Sequence, residues 1–166
     1  MLYMHHRFSQ MNADLPPEPV HDVVAEMAGE CVMMRSRLIS RVVTGIYDQE
    51  LRPFGINSPQ FALLVVMVKM GPSSRAEIGR YHHQDRSTLT RNLKIMLSEG
   101  WIEEVPGAAG GRARPMAVTR AGRDLLAVLA PSWREAQKKA RVLLCEEGVQ
   151  AITKLANGIL KPAPAV

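Results

Sequence analysis

The segment from Asp85 to Ser98 has two chemically opposed edges, and any fold of this chain has to serve both. Leu89, Leu93, Met96 and Leu97 fall within an arc of about 100° at helical spacing, so they form one stripe to be buried. Ser87, Thr90, Arg91, Lys94 and Ser98 take the opposite side. Asp85 is suited to cap the helix, because a side-chain oxygen there accepts an amide proton of the first turn, and Gly100 is the stop. Taken alone, a face of hydroxyls and cations is a solvated face; the neighbouring segments give it another meaning.

Before it, Gly71-Pro72-Ser73-Ser74 is a turn, and Ser73 or Ser74 is placed to cap a short helix running to about His82. After it, Trp101 to Val105 and Arg112 to Thr119 read as two strands around the glycine-rich stretch Pro106-Gly107-Ala108-Ala109-Gly110-Gly111, a hairpin. Two short helices joined by a tight turn and followed by a basic hairpin form a helix-turn-helix with a wing.

Longer helices flank this unit. Val20, Val23, Val24, Met27, Cys31, Met34, Leu38, Val42 and Ile46 recur at steps of three and four, which predicts one amphipathic helix from about Val20 to Leu51, ended by Pro53 and Gly55. Ser58 as N-cap and Pro59 at the first helical position open another helix, whose body from Phe61 to Met70 is apolar almost all round and is expected to be buried. Thr119 caps a long helix to roughly Cys145, with Leu125, Leu126, Leu129, Trp133, Ala136, Ala140 and Leu144 on one side and a bend expected at Pro131. Glu146 to Leu160 supplies a last helix. The first residues, up to Pro16-Pro17, show no periodicity and read as a mobile arm.

A chain of 166 residues accommodates one domain, or a DNA-reading unit with a helical attachment that borrows its core from a partner. Hydrophobic residues make up 46% and charged residues 22%, a globular balance. No run approaches the roughly 18 to 20 apolar residues of a membrane span, and no secretory signal is recognisable, so the expected location is the cytoplasm. Two cysteines, far apart, make neither a disulfide framework nor a zinc-finger pair. The formal net charge of +5 permits attraction to phosphate without establishing it, and the placement of the cations decides.

Base edges and phosphates are read largely by hydrogen-bond donors, which makes Arg86, Ser87, Thr88, Thr90, Arg91 and Lys94 the candidate contacts of a recognition helix. Arg112 and Arg114, beside the hairpin glycines, suit minor-groove entry and phosphate contact. Ser73, Ser74 and Arg75, at the start of the short helix, could hold a phosphate through side-chain donors and free backbone amides.

Three stretches, Leu51-Arg52-Pro53-Phe54-Gly55-Ile56-Asn57-Ser58-Pro59-Gln60-Phe61, Asp85-Arg86-Ser87-Thr88-Leu89-Thr90-Arg91-Asn92-Leu93 and Val118-Thr119-Arg120-Ala121-Gly122-Arg123, resemble the MarR family of regulators, in register from about residue 20 to 160. The resemblance implies a mainly α fold with a small β-hairpin wing, in which a winged helix-turn-helix is flanked by long N- and C-terminal dimerisation helices. It divides the chain into an arm (1–17), a dimerisation helix and connector (18–57), the DNA-binding domain (58–119) and C-terminal dimerisation helices with a tail (120–166). It further implies a homodimer that binds a palindromic operator in double-stranded DNA and usually represses. By position, Arg86, Ser87, Thr88, Thr90 and Arg91 match the family's groove-facing stretch and Arg112 its wing arginine. The chain departs from the pattern at Gly110, where many members carry a wing aspartate, and at His82 and His83, where the family usually has a leucine and a turn glycine. His83 is therefore expected to adopt a left-handed conformation.

Other chemistries leave weaker traces. Five histidines invite a metal, yet His5-His6 lie in the arm and adjacent His82 and His83 would diverge on a helix, so neither a metal nor another cofactor is expected. Cys31, on the Met27/Met34 stripe, reads as inert packing; the alternative is a peroxide-sensing repressor that uses its thiol. Met27, Met34, Met67 and Met70 could line an adaptable pocket for a small aromatic effector, against ordinary core packing. No nucleophile beside a base, phosphate loop or metal-ligand set points to an enzyme. The reading from a different class is a winged-helix module that binds protein and not DNA.

Overall fold

The computed structural model describes residues 19–106 and 114–160. Its elements, in chain order, are α1 (Val20–Glu30), α2 (Val32–Leu51), a 3-10 turn (Arg52–Phe54), α3 (Ser58–Met70), α4 (Arg75–His82), α5 (Arg86–Ser98), β1 (Ile102–Glu104), β2 (Met116–Val118) and α6 (Arg120–Leu160). This is the expected mainly helical chain with one antiparallel hairpin. The chain divides into two units between Arg41 and Val42.

In the first unit the single long helix expected from the sequence is interrupted. Cys31 leaves the helix with extended backbone (φ −63°, ψ 106°), and its N–H still closes α1 on the Met27 carbonyl at 3.1 Å. The apolar period runs on through the break, so periodicity alone gave no sign of it. No residue of α1 is buried. Met27 and Met34 are 59% and 49% exposed, and Cys31 between them is partly exposed.

The second unit has a continuous core. Leu63, Leu64 and Met67 of α3 meet Ile78 of α4, Leu89, Leu93 and Met96 of α5, Ile102, Met116 and Val118 of the hairpin, and Leu129 of α6. Each such side chain stabilises the fold by about 1.5–3 kcal/mol through burial. The expected burial of α3 holds for part of its surface: Leu63, Leu64 and Met67 are covered, while Val65 and Val68 remain 44% exposed. Its N-cap is also one residue earlier than expected. Asn57 accepts from the Gln60 N–H at 3.0 Å and the Gln60 side chain accepts from the Asn57 N–H at 3.1 Å, a reciprocal capping box. Ser58 instead donates its N–H to Asp48 at 2.7 Å, tying α3 to α2.

Two further ties hold α6 to α2: Lys139 pairs with Glu50 at 2.5 Å, and the Tyr47 hydroxyl donates to Gln137. The last helix passes Pro131 with helical backbone, and its non-helical residue is Cys145 (φ 57°, ψ 169°), where the sequence placed the boundary between two helices. Among the described residues no single helix is long and apolar enough to cross a membrane.

Candidate nucleic-acid interface

The α5 helix forms as its caps dictate. Asp85 accepts the Thr88 N–H at 2.9 Å and the Ser87 hydroxyl at 2.6 Å. Those bonds favour the ionised carboxylate, Ser87 contributing most, and hold Asp85 well below its ordinary value. Leu89, Leu93 and Met96 are buried, as the stripe required, and Arg86, Ser87, Thr90, Arg91 and Lys94 are exposed, with Thr88 intermediate. Among the described residues, none of Arg86, Arg91 and Lys94 has a carboxylate within 4.0 Å. Several kcal/mol of apolar burial thus orient this helix while its cations stay unneutralised.

The hydroxyls on the same face are less free than their exposure suggests. Ser87 donates to Asp85, and Thr90 donates to the Arg86 carbonyl one turn back at 2.7 Å. In this state they offer acceptor lone pairs, and the free donors of the face are the cations. Asn92 is buried at 8% exposure within the apolar stripe. It lies three residues beyond Leu89, so its place on the buried face was legible, although its type did not suggest burial.

The turn before α5 is closed by His83 in the left-handed conformation (φ 49°, ψ 33°), as expected from its standing where a glycine is usual. The Gln84 N–H meets the Gly79 carbonyl at 3.3 Å. His82, half-buried at the end of α4, is shifted below its ordinary pKa, chiefly because burial disfavours the charged ring, with the neighbouring His83 adding in the same direction.

The expected phosphate cradle at 73–75 is not open. Ser73 is buried at 8% exposure. It exchanges backbone hydrogen bonds with Met116, its N–H donating at 3.1 Å and its carbonyl accepting at 2.8 Å, while its hydroxyl donates to Gly71. Ser74 is the N-cap of α4, and Glu77 fills the end of the helix, accepting both the Ser74 N–H at 2.8 Å and its hydroxyl at 2.7 Å. These bonds complete a capping box, and they lower the Glu77 pKa. Arg75 pairs with Glu104 of β1 at 3.0 Å. Glu104 had no signal in the sequence, since its partner is remote along the chain.

The wing is anchored at its base. Ile102 pairs with Val118, Glu103 with Ala117 and Glu104 with Met116, and the Val105 N–H donates to the Pro115 carbonyl at 2.8 Å. The strands are shorter than expected. Arg114 is exposed next to β2. Arg112, Gly110 and the glycine tip lie outside the described residues.

Met67 is 1% exposed in the core, Met70 is only partly covered, and Met27 and Met34 belong to the other unit. Two open concavities on α6 are lined by other residues, among them Trp133, Lys138 and Arg141 in the first and Glu146, Thr153 and Lys154 in the second.

Residues 54–113 match the model of the MarR family. An uncharacterised HTH-type transcriptional regulator of Bacillus subtilis (strain 168), YwoH, is 29% identical over 68 residues, 41% of this chain and 50% of that protein, so the match spans about half the length of the curated relative. A cysteine-to-serine mutant of MarR from E. coli, solved in complex with operator DNA, shares the fold with a TM-score of 0.71 at 18% identity, over 82% of this chain and 98% of that one. The M. tuberculosis transcriptional regulator MosR, solved in complex with DNA, has a TM-score of 0.65 at 29% identity, over 78% of this chain and 96% of that one. With a capped and cation-faced second helix and a hairpin wing at its side, the segment that matches the family model is similar to the MarR family in both sequence and fold.

Proposed function

We propose that this protein is a sequence-specific DNA-binding transcriptional regulator that represses by occupying a palindromic operator as a homodimer. One observation carries the reading: α5 is held by Leu89, Leu93 and Met96 while Arg86, Arg91 and Lys94 stand exposed and, among the described residues, without carboxylate partners. Such a helix enters the major groove with its donors toward base edges, and the wing with Arg114 runs along the backbone beside it.

Exposed apolar surface supports a second copy. Val20, Val24, Val32 and Leu38 in the first unit, and Val142, Leu143, Leu155 and Ile159 in the second, are each more than half exposed. Surfaces of this kind mark association sites. Two copies related by a two-fold axis present two α5 helices, and their spacing of about one helical turn of DNA, or a multiple of it, sets the half-site separation.

Neither concavity on α6 is lined by methionine, so an effector forms no part of this proposal. The test is a gel-shift titration of the purified protein against DNA from upstream of its own coding sequence, at two salt concentrations. The expected outcome is two chains bound per operator duplex with affinity falling steeply as salt rises, because each phosphate contact releases counterions. Failure to bind duplex DNA at low salt would refute the reading and favour a protein-binding module.

A further inference from the structure

The Arg75–Glu104 pair joins the first helix of the helix-turn-helix to the first strand of the wing across a separation of 29 residues. Its geometry is built. Ser73 is bridged to Met116, and Met116 is paired with Glu104, so three segments lie in one row at the base of the wing. Arg75, just beyond the Ser74 cap, reaches across that row, and its Nη2 lies 3.0 Å from the Glu104 carboxylate. The two side chains keep 50% and 35% of their surface open, so water and a competing anion can reach the pair.

We propose that Glu104 holds Arg75 in reserve: in the free protein and on a duplex of arbitrary sequence the guanidinium is paired with the carboxylate, and on the operator it exchanges onto a backbone phosphate. Glu104 is thereby a positioning residue that restrains binding to arbitrary sequence. The inference rests on the reading of the chain as a DNA-binding helix-turn-helix, whose first helix crosses the phosphate backbone and places the start of α4 there. The other carboxylate at this helix end, Glu77, is occupied by Ser74, which leaves Glu104 as the neutralising partner of Arg75 among the described residues. An exposed ion pair is weak, so exchange onto a phosphate meets little resistance. Its effect lies in the count of phosphates contacted and not in folding stability.

The experiment uses the full chain and a duplex of arbitrary sequence, with fluorescence anisotropy read across a salt series. Glu104→Gln frees Arg75 in both states. The expected result is tighter binding to this duplex at low salt and a slope of log K against log salt steeper by about 0.9, the increment for one added phosphate contact. In the double variant Arg75→Ala/Glu104→Gln the slope returns to that of the unmodified protein, whereas Glu104→Asp retains the restraint. A merely structural ion pair predicts weaker binding by Glu104→Gln with no steepening. That result, in a protein that itself binds DNA with normal salt dependence, overturns this inference and leaves the proposed function standing. An unmodified protein that does not bind the duplex at any salt overturns both.

Discussion

Gly122, in the first turn of α6, lies directly against the carbonyl oxygen of Trp101, with no room for a Cβ between them. The same Cβ would stand 2.8 Å from Cγ1 of Val118. The close approach follows from the cap of α6. The Thr119 hydroxyl accepts the Gly122 N–H at 3.1 Å and donates to the Gly100 carbonyl at 2.7 Å, while the Thr119 N–H meets the Trp101 carbonyl at 3.0 Å. The end of α5, the second wing strand and the start of α6 are thus drawn together at one point.

Gly122→Ala is expected to destabilise the protein. Overpacking costs about 1–3 kcal/mol, against a gain in helix propensity of at most about 1 kcal/mol. In a chain of this size each kcal/mol lowers the thermal midpoint by about 2–4 °C. A melt followed by circular dichroism checks this, and an unchanged or raised midpoint would mean that α6 can retreat from Trp101.

His83→Gly is expected to do the opposite. A left-handed residue with a Cβ carries about 1–2 kcal/mol of strain that glycine lacks, and glycine gives back about 0.5–1 kcal/mol through the entropy of the unfolded chain. The net outcome is a stabilisation of about 0–1.5 kcal/mol in urea titration. A lower urea midpoint would assign the His83 ring a contact that outweighs its backbone.

The pH dependence of stability carries a signature of His82. Its folded pKa lies below the ordinary 6.5, because burial disfavours the charged ring. The unfolded chain therefore binds the proton more readily, and the stabilising contribution is complete above pH 6.5 and is lost as pH falls through the folded value. The thermal midpoint should fall between pH 7.5 and pH 5.5 in the unmodified protein and fall less in His82→Leu. Equal falls in the two proteins would place the titration elsewhere.

Arg91→Ala should weaken operator binding by roughly 1–3 kcal/mol and relax the preference at one base position of each half-site, while Lys94→Ala weakens binding about equally on all sequences. Competition gel shifts with single-base operator variants separate the two. Loss of affinity without any change in base preference for Arg91→Ala would demote that residue to a phosphate contact.

The caps, stops and exposed edges of the helix-turn-helix were legible because each is set over three or four residues. Asp85 reaches the Thr88 amide, Ser74 the Glu77 amide and Thr119 the Gly122 amide, and these bonds need no other part of the chain. The left-handed His83 was legible through the family resemblance, which puts a turn glycine at that position, and not through any local spacing. Where the reading went astray, a nearly equivalent local choice existed: Asn57 and Ser58 are adjacent cap formers, and the apolar period around Cys31 runs unbroken through a backbone that does not.

Spacing and hydrogen-bond reach act along a few residues, so the caps of α4, α5 and α6 and the face of α5 that stays outside follow from the chain alone. Which cations are free depends on packing between distant segments. Arg75 and Arg86 look alike as arginines that open neighbouring helices, yet Arg75 meets a carboxylate 29 residues away while Arg86 meets none among the described residues. Ser73 passed from candidate phosphate donor to a buried bridge in the wing for the same reason. Pairings between distant segments depend on how the core closes the chain, and a window of a few residues carries no record of that closure.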